Sequence, residues 1–343
     1  MRPDESSSGG AAPAAGSGLP GWLRRILAAA QSNPVRIAFA VLAVSLAGWA
    51  LAREWTEVRS ALAQMRPGLL IAAVAATLAN SALTGVLWRT LLADLGSVLP
   101  LRVAARVFFV GQMGKYVPGS VWPVVMQAEL ARDHGVPRRR TAAATAVTML
   151  LSLTTGLVVV IAALPFVPQV AGAGYGWTLL AVVPLLVSMH PRVLGPVLDR
   201  VIGAVGGQAL ERRPSAAGMA RGTAWAIAAW LAAGAQLWLL IGAVGGEMNG
   251  RTLALGIGGY AFAWAVGMIV VVAPAGAGPR EVVLLAALGS VVAGGAALVV
   301  VLCSRVLFTA TDLIAAGVSY FAGPAHTIPG KVAEGVSADE SSA

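Results

Sequence analysis

Residues 111–122 read GQMGKYVPGSVW, in a chain that is otherwise close to a succession of Ala, Val, Leu and Gly. A lysine, a tyrosine and a Pro-Gly pair stand side by side between two hydrophobic runs. In a soluble protein such a stretch is a surface turn. In a membrane protein it is a break in a helix. The surrounding solvent decides between the two, and the rest of the chain identifies that solvent.

The chain has 343 residues, of which 57% are hydrophobic and only 11% charged. Its mean hydropathy is +0.78. A soluble domain carries about 25% charged residues, so this chain has too few to cover a globule of its size. The composition is that of a membrane protein. The net charge of +9 comes from 24 Lys and Arg against 15 Asp and Glu. These cations are scattered between apolar runs, the pattern of cytoplasmic loops rather than of a nucleic-acid surface, and no nucleic-acid partner is expected. The lone cysteine, Cys303, lies in an apolar run and has no partner for an intrachain disulfide. The histidines His134, His190 and His326 are far apart, so no metal site is expected, nor is any cofactor.

Residues 1–20 are rich in Ser, Gly, Ala and Pro and bury nothing, so residues 1–34 are read as a disordered cytoplasmic tail. No signal peptide is read before the first apolar run. Residues 323–343 read as a flexible tail, leaving 35–322 as one transmembrane domain. A crossing of ~30 Å of hydrocarbon needs ~20 apolar residues. Seven runs are read as full spans: 35–52, 68–92, 141–165, 177–189, 222–244, 252–273 and 291–321. Two further segments, 103–110 and 281–288, are too short or too broken to cross plainly. The expected fold is an all-α, polytopic helical membrane protein with about 7–8 transmembrane helices and two Pro/Gly-broken or re-entrant segments.

Counting Lys and Arg orients the loops. The basic ones carry Arg24, Arg25 and Arg36; Arg132, Arg138, Arg139 and Arg140; and Arg192, Arg200, Arg212, Arg213 and Arg221. They are expected to face the cytoplasm, with the N-terminus, in the cytoplasmic membrane. Loop 53–67, with Arg53, Arg59 and Arg66, fits this scheme poorly.

The opening stretch has a counterpart, VVVAPAGAGPREVVLLAALG at 270–289. Pro118, Gly119 and Pro123 interrupt the first segment. Pro274, Gly276, Gly278 and Pro279 interrupt the second. Proline removes an amide donor and clashes with the preceding turn, so each helix should break. Such a break at membrane depth persists only where protein or a wet cavity satisfies the freed backbone. Paired breaks in two halves of a chain point to a transporter's binding site. Pro123 and Pro279 suit the first turn of a new helix. Two half-helix N-termini, with free amides and partial positive charge, would then face an anion. Lys115 adjoins the first break and Arg280 the second, and a lipid phosphate is the obvious anion. The competing reading is an ordinary loop with Lys115 reaching the headgroups.

Other polar residues inside apolar runs have structural explanations to weigh. Arg305 and Asp312, seven apart on one helix face, read first as ion-pairing residues. Glu281 caps its helix, with a bond to Arg280 or to cargo as the alternative. Glu129 is interfacial, and Asn80 and Gln236 read as interhelical glue. Most tryptophans suit interfacial belts, and Trp122 stands apart because it follows the break directly.

At these two motifs the chain resembles a known family. GKYVPGSVW (114–122), followed by a basic loop and an apolar span, looks like the flippase-like integral membrane proteins related to the transmembrane part of lysylphosphatidylglycerol synthases. PAGAGPREVVLLAALG (274–289) resembles that family's Pro-x-Gly-x-Gly-x-x-Glu motif, which maps to Pro274, Gly276, Gly278 and Glu281. Many relatives carry a Glu soon after the first Pro-Gly. Here the nearest acid is Glu129, so the chain looks like the lysine-tyrosine variant. The resemblance implies movement of a lipid or lipid-linked headgroup between leaflets. Together with the two breaks, it gives an expected headgroup site of Lys115, Tyr116, Pro118, Gly119, Trp122, Pro274, Gly276, Gly278, Arg280 and Glu281, with Arg305, Asp312 and Glu129 as supporting residues. Lysylphosphatidylglycerol synthases also carry a soluble aminoacyl-transferase domain. With Ala343 the last residue, lipid synthesis is not expected.

Membrane lipids are thus the expected partners, with an anionic phospholipid or a polyprenyl-phosphate-linked lipid as cargo. No GxxxxGK[ST] phosphate loop is present to supply nucleotide energy. One alternative is a membrane-embedded transferase using polyprenyl-phosphate sugars or lipids, for which Glu54 and Glu57 are the available first-loop carboxylates. Another is a non-catalytic subunit of a cell-envelope enzyme.

Overall fold

A computed structural model describes residues 55–116, 121–166, 182–184, 186–204, 209–270 and 274–322, together with residue 52. Within them the chain is all helix: α1 (Trp55–Ala63), α2 (Pro67–Asp94), α3 (Leu101–Gln112), α4 (Trp122–Arg132), α5 (Arg138–Ala163), α6 (Pro191–Ala204), α7 (Ala216–Ala243), α8 (Gly250–Ile269), α9 (Pro279–Leu288) and α10 (Gly294–Ala322). Short 3₁₀ turns follow α3 (Met113–Tyr116) and α5 (Leu164–Phe166), and another precedes α9 (Pro274–Gly276). Among the described residues five helices are long and apolar enough to span a membrane: α2, α5 with its 3₁₀ extension, α7, α8 and α10. The chain is a multi-pass membrane protein. Of the seven spans read from the sequence, 35–52 lies outside the described residues except for residue 52, and of 177–189 the residues 177–181 and 185 lie outside them too.

α2 and α7 form the central antiparallel pair, each of 28 residues and so ~42 Å long. Their ends are fastened. The Asp94 carboxylate accepts from Ser215 N at 2.7 Å and from Ser215 Oγ at 2.6 Å, and Ser215 Oγ caps α7 by accepting from Gly218 N at 2.9 Å. A Cβ on Gly218 would lie 2.2 Å from the Asp94 carboxyl carbon, so this clamp needs glycine there. At the other end Arg66 N donates to Ala243 O at 3.1 Å. Midway, Asn80 Nδ2 donates to Ala229 O at 2.8 Å, the interhelical bond expected of a mid-span Asn.

These contacts define two faces. On one lie the C-terminal ends of α2 and α4 and the N-terminal ends of α3, α5 and α7. Arginines crowd here: Arg139 and Arg140 pair with Glu211, Arg140 also donates to Ser97 Oγ, and Arg138 pairs with Glu129 at 2.7 Å. On the opposite face α2 and α8 begin and α5 and α7 end; a Cβ on Gly258 of α8 would meet Ala163 at the end of α5. α10 starts on this second face, where Leu298 and Val299 pack with Val58 and Ala61 of α1. It runs toward the basic face, where Arg106 of α3 lies 5.0 Å from the ring centre of Tyr320. Arg59 and Arg66 therefore sit on the face opposite the basic loops, the misfit anticipated for loop 53–67.

The first broken segment does not cross. α3 and α4 have 12 and 11 residues, ~18 and ~17 Å, against ~30 Å of hydrocarbon. They pack antiparallel, and two glycines set their spacing. A Cβ on Gly111 would lie 3.2 Å from Gln127 Cα, and one on Gly114 only 2.7 Å from Pro123 N. The pair is a re-entrant hairpin entering from the basic face, with Lys115 and Tyr116 at its tip. α8 enters from the second face, packs Tyr260 and Trp264 on Trp230 of α7, and brings Gly267 and Met268 to the same cavity as Ala226 and Ala229 of α7. α9 turns back along α8: Gly267 meets Gly276, and Gly259 faces Ala287. The second hairpin thus enters from the opposite side. The two halves are inverted rather than parallel. One apolar cluster, with Trp88, Leu91, Val107 and Val147, surrounds the first hairpin. A second, with Leu240, Tyr260, Leu284 and Val300, surrounds the other.

Candidate functional site

Both hairpin tips end at mid-depth of the long helices and meet at the middle of α10. Between them lies a cavity of about 270 Å³, lined among others by Lys115, Tyr116, Gly276, Arg280, Arg305 and Asp312.

The local chain path explains the second tip. Ala275 (φ 49°), Gly276 (φ 70°) and Gly278 (φ 94°) all take positive φ, a backbone that glycine adopts without strain. A Cβ on Gly276 would approach Gly267 Cα to 3.0 Å, so the turn presses directly on α8. α9 then starts at Pro279, with the Glu281 carboxylate accepting from Gly278 N at 2.6 Å. That is the capping role read from the sequence.

Three cations and the Asp312 carboxylate line the cavity, and the Glu281 carboxylate pairs with one of those cations. Lys115 Nζ lies 2.6 Å from Asp312 Oδ2, and the Tyr116 hydroxyl donates to the same oxygen at 2.8 Å. Arg305 pairs with Glu281 at 3.4 Å and donates to Ala275 O at 3.0 Å, so it satisfies a carbonyl that the break frees. Arg305 and Asp312 thus serve neighbouring elements rather than each other, and Glu281 binds Arg305 rather than Arg280. Arg280 is 8% exposed. Its guanidinium donates to the Tyr260 hydroxyl at 2.6 Å and lies 4.5 Å from the Tyr260 ring centre and 5.4 Å from that of Phe308. Aromatic faces stabilise a desolvated guanidinium without cancelling its charge. Among the described residues Arg280 has no ion pair.

The opposite wall is polar and uncharged. Trp88 Nε1 donates to Thr145 Oγ1 at 3.1 Å, and Thr145 donates to Gln127 Oε1 at 2.6 Å, tying α2, α5 and the first hairpin together. Asn80, Thr84 and Thr148 also face the cavity, and Trp230 and Trp264 add aromatic surface.

The expected site residues divide as follows. Lys115, Tyr116, Gly276, Arg280, Arg305 and Asp312 line the cavity. Glu281 touches it through Arg305. Pro274 and Gly278 shape the turn beneath it. Trp122 opens α4 but is 43% exposed and is not in the lining, where Pro123 stands instead. Glu129 is at the basic face with Arg138, away from the cavity; the hydrogen bond from Arg138 holds its carboxyl below the ordinary range. Pro118, Gly119 and Glu54 lie outside the described residues, as does the Glu57 side chain. The sequence reading missed Tyr260, Phe308, Gln127 and Thr145. Each is an ordinary residue of an apolar helix until the hairpins fold back on it. The one available signal was Gln127, a lone amide five residues after a break.

Residues 35–316 match the family described as the lysylphosphatidylglycerol synthase TM region. The match covers most of the chain, and the chain belongs to that family. No curated protein matches it. Its family places the chain among proteins of membrane-lipid function.

Proposed function

We propose that this member of the family carries a lipid with an anionic headgroup between the leaflets of the cytoplasmic membrane. The observation that carries the reading is the cavity itself: two hairpins from opposite faces end at one mid-depth chamber that holds a cationic excess. Charged side chains at membrane depth are costly and mark transport pathways. Inverted hairpins around a midplane site are the architecture of alternating-access carriers.

The chamber is slightly smaller than the ~300–1,000 Å³ of typical small-molecule sites. It suits a headgroup, with the acyl or prenyl chains left in lipid. The half-helix N-termini of α4 and α9 add amide donors and partial positive charge near it. Lys115, Tyr116, Arg280 and Arg305 are the headgroup-binding set, with Asp312 and Glu281 holding two of the cations in place. The basic face is the cytoplasmic one, by its arginines.

The test is leaflet exchange of fluorescent anionic lipids in proteoliposomes. Exchange no faster than in protein-free vesicles, for every anionic and polyprenyl-linked lipid tried, would remove this reading.

A further inference from the structure

The headgroup site is charge-matched, and this narrows the cargo. The inference rests on the lipid-carrier reading above. Lys115 and Asp312 neutralise one another, as do Arg305 and Glu281. Arg280 is left over. Residues 117–120 and 271–273, outside the described residues, are Val, Pro, Gly, Ser and Ala and carry no charged side chain. Among the described residues the chamber therefore carries one positive charge, held on a buried guanidinium between Tyr260 and Phe308.

We infer that the cargo headgroup carries a single net negative charge, as a phosphodiester does, and that dianionic phosphomonoesters and pyrophosphates are excluded. A monoanion beside Arg280 makes the chamber neutral. A dianion leaves one uncompensated charge in a poorly solvated space, and a zwitterion leaves the guanidinium unmatched. The planar guanidinium offers its remaining N–H groups to two phosphate oxygens at once. The hydroxyl and amide wall opposite (Asn80, Thr84, Thr148) takes the uncharged remainder of the headgroup.

The test is lipid competition on the purified full chain in detergent, with bound lipid counted by native mass spectrometry. The competitors share dioleoyl chains: phosphatidylglycerol, phosphatidylcholine, and phosphatidic acid at pH 8.5, where the monoester is doubly charged. The wild type should retain phosphatidylglycerol over both others by at least about tenfold, the scale set by one unpaired buried charge. Asp312→Asn raises the chamber to two positive charges and should shift preference toward phosphatidic acid. Glu129→Gln removes a carboxylate at the basic face, outside the chamber, and should keep the wild-type order, while the unfolding midpoint of Asp312→Asn in detergent shows whether that variant is folded. Phosphatidic acid bound as well as phosphatidylglycerol by the wild type would overturn the inference while leaving the lipid-carrier reading standing. Binding of no anionic lipid at all would remove both. An order unaltered in a folded Asp312→Asn protein would also overturn it.

Discussion

The Lys115 ammonium lies 2.6 Å from the Asp312 carboxylate, so the tip of the first hairpin is bonded to the middle of α10. Residues 197 positions apart in sequence thus close one wall of the chamber, and the Tyr116 hydroxyl shares the same acceptor oxygen.

That bond should be measurable as a coupling. Lys115 is 33% and Asp312 13% exposed, between the surface and buried limits for ion pairs. Each single alanine variant should cost about 1–3 kcal/mol, and the double variant clearly less than their sum. Thermal unfolding of the four proteins in detergent checks this. Additive single effects would mean that the pair does not form.

The hairpin spacing depends on Gly114. An alanine Cβ there would lie 2.7 Å from Pro123 N, which belongs to backbone and cannot swing aside. Gly114→Ala should destabilise by about 1–3 kcal/mol, the range for an overpacked site. Gly135→Ala tests a different cause: its Cβ would meet nothing within 4 Å, but φ is +76°. It should cost about 1 kcal/mol from backbone strain alone. Unfolding midpoints of the two variants distinguish steric from conformational cost.

The polar wall should behave as a network. Thr145→Val removes the acceptor of Trp88 Nε1 and the donor to Gln127 Oε1, both buried. An unpaired buried polar group costs about 1–3 kcal/mol, so the unfolding midpoint should fall although the side-chain volume hardly changes. Thr145→Ser keeps the hydroxyl and should recover most of the loss.

Glu129 serves as an internal control. Its carboxyl is depressed by the Arg138 hydrogen bond, so its small contribution to stability is present above the ordinary carboxylate pKa and is lost as pH falls through the lower folded value. Glu129→Gln should leave leaflet exchange unchanged at neutral pH. It should flatten the stability curve only at acid pH, below about 4.5. Unfolding midpoints across that range check the sign.

Much of this fold could be read directly. Long apolar runs became α2, α5, α7, α8 and α10 because backbone in hydrocarbon must bond internally. Pro118–Gly119 and Pro274–Gly278 marked the two breaks because proline and glycine act locally. The direction from which each hairpin enters was not legible. It is fixed by contacts such as Gly111 with Gln127 and Gly267 with Gly276, whose partners are chosen by packing across the bundle. For the same reason Arg280 could be picked as a charge beside a break, while its bed of Tyr260 and Phe308 could not. Asp312 read as an ion-pairing residue, with Arg305 seven residues away or with a neighbouring helix, and the second pairing is the one that forms. Its actual partners lie on another hairpin because a seven-residue rise of ~10 Å is too long for a direct bond.

The central claim is that the chamber moves an anionic lipid across the membrane and that Arg280 holds its headgroup. The most direct measurement is leaflet exchange of fluorescent phosphatidylglycerol in proteoliposomes containing wild type, Arg280→Gln or Glu129→Gln. Exchange should be accelerated by the wild type and by Glu129→Gln, and should fall to the protein-free rate with Arg280→Gln. Wild-type exchange no faster than in empty vesicles, or an Arg280→Gln protein as fast as wild type, would contradict it.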